Sequence, residues 1–401
     1  MTSLRLGVIG YGARARQMVD TILACGEDVR LSAIADPGFG AAGRSGSEAA
    51  GDAAVYERAG DMLDRERLDG VVIGTRCGLH ARMAVEVIRR GLPLFLEKPV
   101  ATNMDDLLAL RAAKSDRVVV SFPLRASRLV RLAREIIESG RIGSVEHVQA
   151  CCNVPYGNVY FQTWYRDEAE TQGMFLQKAT HDFDYVNYLL AGDEPVEIAA
   201  MTSKQVFRGS RPAGLRCMDC DDKLACYESP YHPSQPEPLA QEEASPLMCA
   251  FAVDTGNEDC GSALIRYASG RHAVYSQNFV VRRKAASRGA RLIGYHGTIE
   301  FDWFANRLAV LPHHSPHVET YQFDEDHAHG GGDRDLAFNF IAVMRGAATS
   351  ISPLDGGVRN ALMCLMAKKS ARTGRLEAIR FPSESEPADL AAPSQRQAVA
   401  L

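Results

Sequence analysis

The sequence predicts an α/β N-terminal domain, a doubly wound parallel sheet, followed by an α+β C-terminal domain built on a large open, mostly antiparallel sheet. Three observations carry that prediction. Apolar runs near residues 4–9, 30–35, 70–74, 93–97 and 117–122 alternate with longer amphipathic stretches such as 80–90, the rhythm of buried parallel strands with helices on both faces. After a predicted helix over 127–139 and a strand-like stretch at 145–152, alternating segments at 194–207, 249–267, 271–282 and 291–311 dominate, with few helices between them. That pattern suits an antiparallel or mixed sheet. At 401 residues the chain also exceeds the usual single domain, so two units are expected. Their predicted spans are 1–123 and 124–381, with an insertion over 209–246 that is rich in prolines, acids and cysteines, and a tail over 382–401 rich in Ser, Pro, Ala and Glu.

The first strand runs into Gly10-Tyr11-Gly12-Ala13-Arg14-Ala15 and then a helix. Glycines at this turn let the backbone approach a pyrophosphate at the helix N-terminus, the Rossmann arrangement. The second strand ends in Asp36, where a carboxylate can accept hydrogen bonds from both adenosine ribose hydroxyls. The same charge would repel a 2′-phosphate, so NAD is favoured over NADP. Further on, the apolar run 93–96 closes in Glu97-Lys98-Pro99. Lys98 therefore emerges at the carboxyl end of a strand, where doubly wound sheets bind ligands. A lysine of depressed pKa placed there can take or relay a hydroxyl proton as hydride leaves a secondary alcohol. Read alone, Lys98 is equally a surface lysine paired with Glu97.

These blocks, with Ile34-Ala35-Asp36-Pro37, Thr75, Leu79-His80 and Gly173 followed by His181-Asp182-Phe183-Asp184, resemble the glucose-fructose oxidoreductase and inositol dehydrogenase (Gfo/Idh/MocA) family of NAD(P)-dependent oxidoreductases. The late stretches Gly330-Gly331-Gly332-Asp333-Arg334 and Lys369-Ser370-Ala371-Arg372-Thr373-Gly374 resemble the family's C-terminal pattern, so the resemblance covers roughly residues 4–380. It implies that Lys98 lies in the active site, that Thr75 and His80 face the nicotinamide half of the cofactor, and that Arg125 lies near cofactor and substrate. It also implies a second domain often used for homo-oligomerisation through its open face. The bland alternatives are a helix cap for His80 and an interdomain salt bridge for Arg125.

A predicted helix over 175–189 sets Gln177, Lys178, His181, Asp184 and Tyr185 on one face by three-and-four spacing. His181 is the natural proton acceptor near neutral pH, and a neighbouring carboxylate could orient it. Many relatives in the resembled family carry Asp four residues before this histidine, whereas this chain has Gln177 followed by Lys178. Asp184 or Asp182 could supply the carboxylate, or Lys178 could be a second active-site amine. Trp164 and Arg166 stand in an aromatic segment suited to stacking on a sugar and binding its hydroxyls, or to filling core.

Composition narrows the partners. A net charge of −5 with scattered arginines argues against nucleic acid, and no apolar run reaches the length of a membrane span. With no signal segment expected, a cytoplasmic location and reduced cysteines follow. Cys217-x-x-Cys220, Cys226 and Cys249 could together hold a structural zinc ion; otherwise they are free thiols. The resulting expectation is an NAD-dependent oxidoreductase acting on a sugar, glycoside or cyclitol, as a homodimer or homotetramer. Two alternatives share the fold: an NAD-dependent glycosidase working by transient C3 oxidation and elimination, and a non-catalytic NAD-binding sensor.

Overall fold

The computed structural model describes residues 3–25, 28–41, 51–234, 246–324 and 328–382. Residues 383–401 of the expected tail and 235–245 of the expected insertion lie outside the described residues. No helix among the described residues is long and apolar enough to cross a membrane.

The chain begins with β1 (Leu4–Ile9), α1 (Ala13–Leu23), β2 (Val29–Ala35), β3 (Ala54–Tyr56), α2 (Ala59–Arg65), β4 (Gly70–Ile73), α3 (His80–Arg89), β5 (Leu94–Leu96), α4 (Met104–Ala113) and β6 (Val118–Val120). All six strands are parallel, in the order β3-β2-β1-β4-β5-β6, the doubly wound order whose reversal at β1/β4 opens a crevice at the strand ends. Every residue of β4, β5 and β6 is buried, because helices cover both faces and a polar side chain would find no water on either. Asn103 caps α4 by accepting from the Asp106 amide at 2.9 Å, which stops the chain from continuing as loop.

The second sheet has nine strands. These are β7 (Val145–Asn153), β8 (Pro195–Ser203), β9 (Cys260–Tyr267), β10 (His272–Asn278), β11 (Ser287–Gly294), β12 (Gly297–Asp302), β13 (Arg307–Pro312), β14 (Glu319–Gln322) and β15 (Glu377–Ala378), in the order β14-β13-β12-β11-β7-β10-β9-β8-β15. Only β7 and β10 pair in parallel. One face is covered by α5 (Arg128–Glu138), α6 (Thr180–Leu189) and α8 (Leu354–Thr373), whose side chains share a core with Ile198, Ile265, Tyr275 and Leu292. The opposite face exposes Gln149, Leu264, Arg266, Arg291 and Glu300. Residues 249–259, expected as strand, form turns instead. Buried polar groups explain this: Asp259 accepts from the amides of Gln205, Val206 and Phe207, and Asn257 donates to the carbonyls of Tyr160 and Tyr165.

One late helix crosses back. In α7 (Gly332–Met344), Leu336, Ala337, Phe340 and Ile341 enter the core that holds Leu6, Val8, Met18 and Val72. Gly70 makes room for it, since a Cβ there would lie 2.4 Å from Met344 Sδ. Phe340 is fully buried, with its ring 5.7 Å from that of Phe95. Phe340→Ala is expected to lower the unfolding free energy by about 3–5 kcal/mol through the cavity it leaves, as read by denaturant titration.

Candidate functional site

The crevice at the β1/β4 reversal is shaped by its glycines. Gly10 has φ +79°, and a Cβ on it would sit 2.7 Å from the backbone of Thr75. A Cβ on Gly74 would meet that of Ala15 at 2.7 Å, so the third position of the turn lets α1 press against the end of β4. Gly12 caps α1 without a side-chain hydrogen bond, and Gly12 and Ala13 are exposed, which leaves first-turn amides for an anion. The Tyr11 ring is packed against Phe39, while its backbone amide donates to Asp36 Oδ2 at 2.7 Å. The Gly38 amide donates to Asp36 Oδ1 at 2.8 Å, so the carboxylate is fixed at the end of β2 with lone pairs left over. These residues fit a dinucleotide.

Behind the crevice, Arg14 is committed elsewhere than to a phosphate. Its Nε donates to Glu97 Oε1 at 3.0 Å, one Nη to Ser121 Oγ at 3.1 Å, and both Nη atoms to the carboxylate of Asp333. Although burial works against the charge, Glu97 and Asp333 hold the guanidinium ionised. His80 braces the same region rather than facing a ligand. Its ring lies between the carbonyls of Pro99, 2.8 Å from Nδ1, and Thr75, 3.1 Å from Nε2; burial lowers its pKa. The Thr75 hydroxyl donates to the Arg76 carbonyl.

Lys98 reaches inward. Its Nζ donates to the backbone carbonyl of Gln177 at 2.8 Å. Burial, the largest influence, pulls its pKa from 10.5 down to about 8, so a neutral amine is accessible there. The acceptor carbonyl belongs to one π-helical turn, Phe175–Ala179, ahead of α6. The wider turn breaks the expected common face. Gln177 turns its amide to the Thr171 carbonyl, 2.9 Å, and to Cys77. Lys178 donates to the Tyr156 hydroxyl.

His181 is left alone at the centre. Its Nδ1 is buried without a hydrogen-bond partner. Burial, then Lys98, Arg288, His329 and Lys178, push its pKa well below the ordinary value, so the ring is neutral. Neither candidate carboxylate serves it. Asp184 pairs with Arg125 and accepts from Asn360 at 2.7 Å, and Asp182 is bound to Arg288 through Nε at 2.9 Å and to the Tyr275 hydroxyl at 3.0 Å. Arg125, with its other Nη on the Ile351 carbonyl, is committed to a salt bridge as in the bland reading, although both of its partners lie in the expected second span rather than across the boundary.

A cavity of about 250 Å³ opens between this centre and the second sheet, lined by Tyr156, Lys178, Arg288, Trp303, Asn306 and His329 among others. Of these the sequence singled out only Lys178. The rest come from strands and loops far apart in the chain, and only the Gly330-Gly331-Gly332-Asp333 block beside His329 gave a signal. Trp164 and Arg166 line a separate cavity of about 530 Å³ with Arg76, whose guanidinium lies 4.0 Å from the Trp164 ring centroid. The zinc expectation is not met. Among the described residues no three His, Cys, Asp or Glu side chains are placed to hold a metal. Burial raises the Cys217 thiol to about 12 and also raises Cys249, so both are protonated thiols here.

Comparison with known proteins agrees with this geometry. The model of the oxidoreductase family with an NAD-binding Rossmann fold matches residues 4–122, and that of the GFO/IDH/MocA C-terminal domain matches residues 130–300. The rhizopine catabolism protein MocA of Rhizobium meliloti is 29% identical over 218 residues, 52% of this chain and 64% of MocA. Inositol 2-dehydrogenase of Gluconacetobacter diazotrophicus is 29% identical over 196 residues, 48% of this chain and 56% of that enzyme. The chain thus spans somewhat over half the length of these relatives. Among solved structures, levoglucosan dehydrogenase in complex with NADH and levoglucosan superposes with a TM-score of 0.73 at 19% identity, covering 94% of this chain and 100% of that one, a likeness of fold. Gly10→Ala is expected to weaken dinucleotide binding by at least about tenfold, or ~1.4 kcal/mol, in a fluorescence titration, because the new Cβ collides with the Thr75 backbone.

Proposed function

This chain belongs to the GFO/IDH/MocA family of NAD-binding oxidoreductases, and from that premise we propose that it oxidises a secondary alcohol carbon of a sugar, glycoside or cyclitol with NAD. The observation that carries the reading is the partly buried Lys98 amine at the end of β5, hydrogen-bonded to the Gln177 carbonyl near a neutral His181. The inositol 2-dehydrogenase and levoglucosan dehydrogenase likenesses support the substrate class. Lys178 supports elimination chemistry less than its position in sequence suggested, because its Nζ is bonded to Tyr156 rather than free as a base.

When bound, the nicotinamide supplies the hydride acceptor. Lys98 binds the reacting hydroxyl and takes its proton, and the neutral His181 ring stands behind it as a further proton acceptor. Arg288, fixed by Asp182, and the Lys178–Tyr156 pair present donors to the remaining hydroxyls. Trp303, on the cavity wall, offers an apolar face to ring C–H groups. Gly10, Gly12 and Ala13 take the pyrophosphate and Asp36 the adenosine ribose.

The test is incubation with NAD and a panel of free sugars, inositols and nitrophenyl glycosides, recording NADH and released phenol together. NADH growth on a polyol or sugar, cut by about 10²-fold or more in Lys98→Ala, is the expected result. Phenol release without NADH accumulation would identify the redox-neutral glycosidase, and tight NAD binding with no turnover the sensor. The amine accepts a proton only when unprotonated, so the oxidation rate should climb as pH rises through about 8 and level off above it. Wild-type protein should prefer NAD over NADP by at least about tenfold, and Asp36→Ser should erase most of that preference in paired kinetic measurements.

A further inference from the structure

We propose that His329, held by Asp333, is the acceptor that carries the substrate proton away from the Lys98–His181 centre. This rests on the oxidoreductase reading above. His329 lines the same cavity as Lys178 and Arg288, and its ring centroid lies 6.2 Å from that of His181 at an interplanar angle of 31°. Its Nδ1 is 2.8 Å from Asp333 Oδ2. An Nδ1–H donated to that carboxylate fixes the tautomer and leaves the Nε2 lone pair as the proton acceptor, the logic by which a carboxylate orients a catalytic imidazole. The backbone is bent to achieve this: His329 has φ +59° and ψ 28°, a left-handed conformation that non-glycine residues seldom hold.

The surroundings divide the labour between the two rings. His181 is buried with Lys98, Lys178, Arg288 and His329 around it, so a proton placed on it is not retained. His329 shares the cavity with Lys178 and Arg288 and, unlike His181, has a carboxylate, Asp333, which Arg14 steadies from behind. About a third of its side chain is exposed, giving a proton a way out to water. The chain lacks a carboxylate at position 177, and Asp333 supplies one to a different imidazole, His329. In the balanced step the substrate O–H and C–H bonds break and a C=O bond forms. The hydride leaves to the dinucleotide, and the proton passes from oxygen to Lys98, through His181, to His329 Nε2. Asp333 is a positioning residue.

The experiment compares wild type, His329→Gln, His329→Ala and Asp333→Asn on a substrate that the panel identifies. The expected result is a rate loss of about 10²-fold or more in both His329 variants with NAD binding retained, recovery of His329→Ala by added imidazole, and a fall in kcat with KM unchanged in Asp333→Asn. An undiminished rate in His329→Gln overturns the inference while leaving the oxidoreductase reading intact; loss that imidazole does not restore in a nucleotide-binding His329→Ala also overturns it. Wild-type protein that binds NAD but turns over nothing removes both. Should the variants misfold, NMR of the wild-type ring decides: a neutral His329 carrying its proton on Nδ1 supports the inference, and one carrying it on Nε2 overturns it.

Discussion

The guanidinium of Arg14 ties together three segments that the chain keeps far apart: the start of α1, the Glu97-Lys98-Pro99 turn after β5, and the first turn of α7. Remove that tie and two buried carboxylates, Glu97 and Asp333, lose their countercharge, a cost of several kcal/mol for each unpaired ion. The placement of Lys98 depends on it, because Glu97 is its neighbour in the chain. So does His329, because Asp333 can orient an imidazole only while Arg14 holds it in place. A side chain of the glycine-rich turn is therefore the keystone beneath the site.

Above that keystone, the centre is crowded with nitrogen and poor in free carboxylate. Lys178, Arg288 and His329 line one small cavity, with Lys98 near the buried His181 behind it, while Asp182 and Asp184 are each held in an ion pair with an arginine. Burial and like charge both favour neutral forms, which is why the Lys98 pKa falls toward neutral pH and His181 stays uncharged. A site of this kind keeps a base available without a carboxylate of its own, as the proposed oxidation requires.

What could be read from the sequence was local. The Gly10-x-Gly12 turn, Asp36 at the end of β2 and Lys98 at the end of β5 each announce themselves within a few residues, because strand burial and backbone approach act over that range. The π turn over Phe175–Ala179 was illegible: an apolar periodicity cannot reveal that one turn is widened, and it redirected Gln177 and Lys178. The return of α7 to the first sheet was equally hidden, since nothing in an amphipathic stretch tells which of two cores it enters. The thiols misled for a related reason. Cys217-x-x-Cys220 has the spacing of a metal site, yet among the described residues no third ligand side chain is placed to complete one.

The account stands on hydride leaving a carbinol carbon in this cavity for the nucleotide in the crevice. The most direct measurement is the mass of the nucleotide after incubation with NAD and an inositol or sugar deuterated at its carbinol carbons. The account predicts reduced nucleotide carrying one deuterium, with a matching ketone in the product. Nucleotide that stays unlabelled and oxidised across the deuterated panel, in protein that binds NAD, would contradict it.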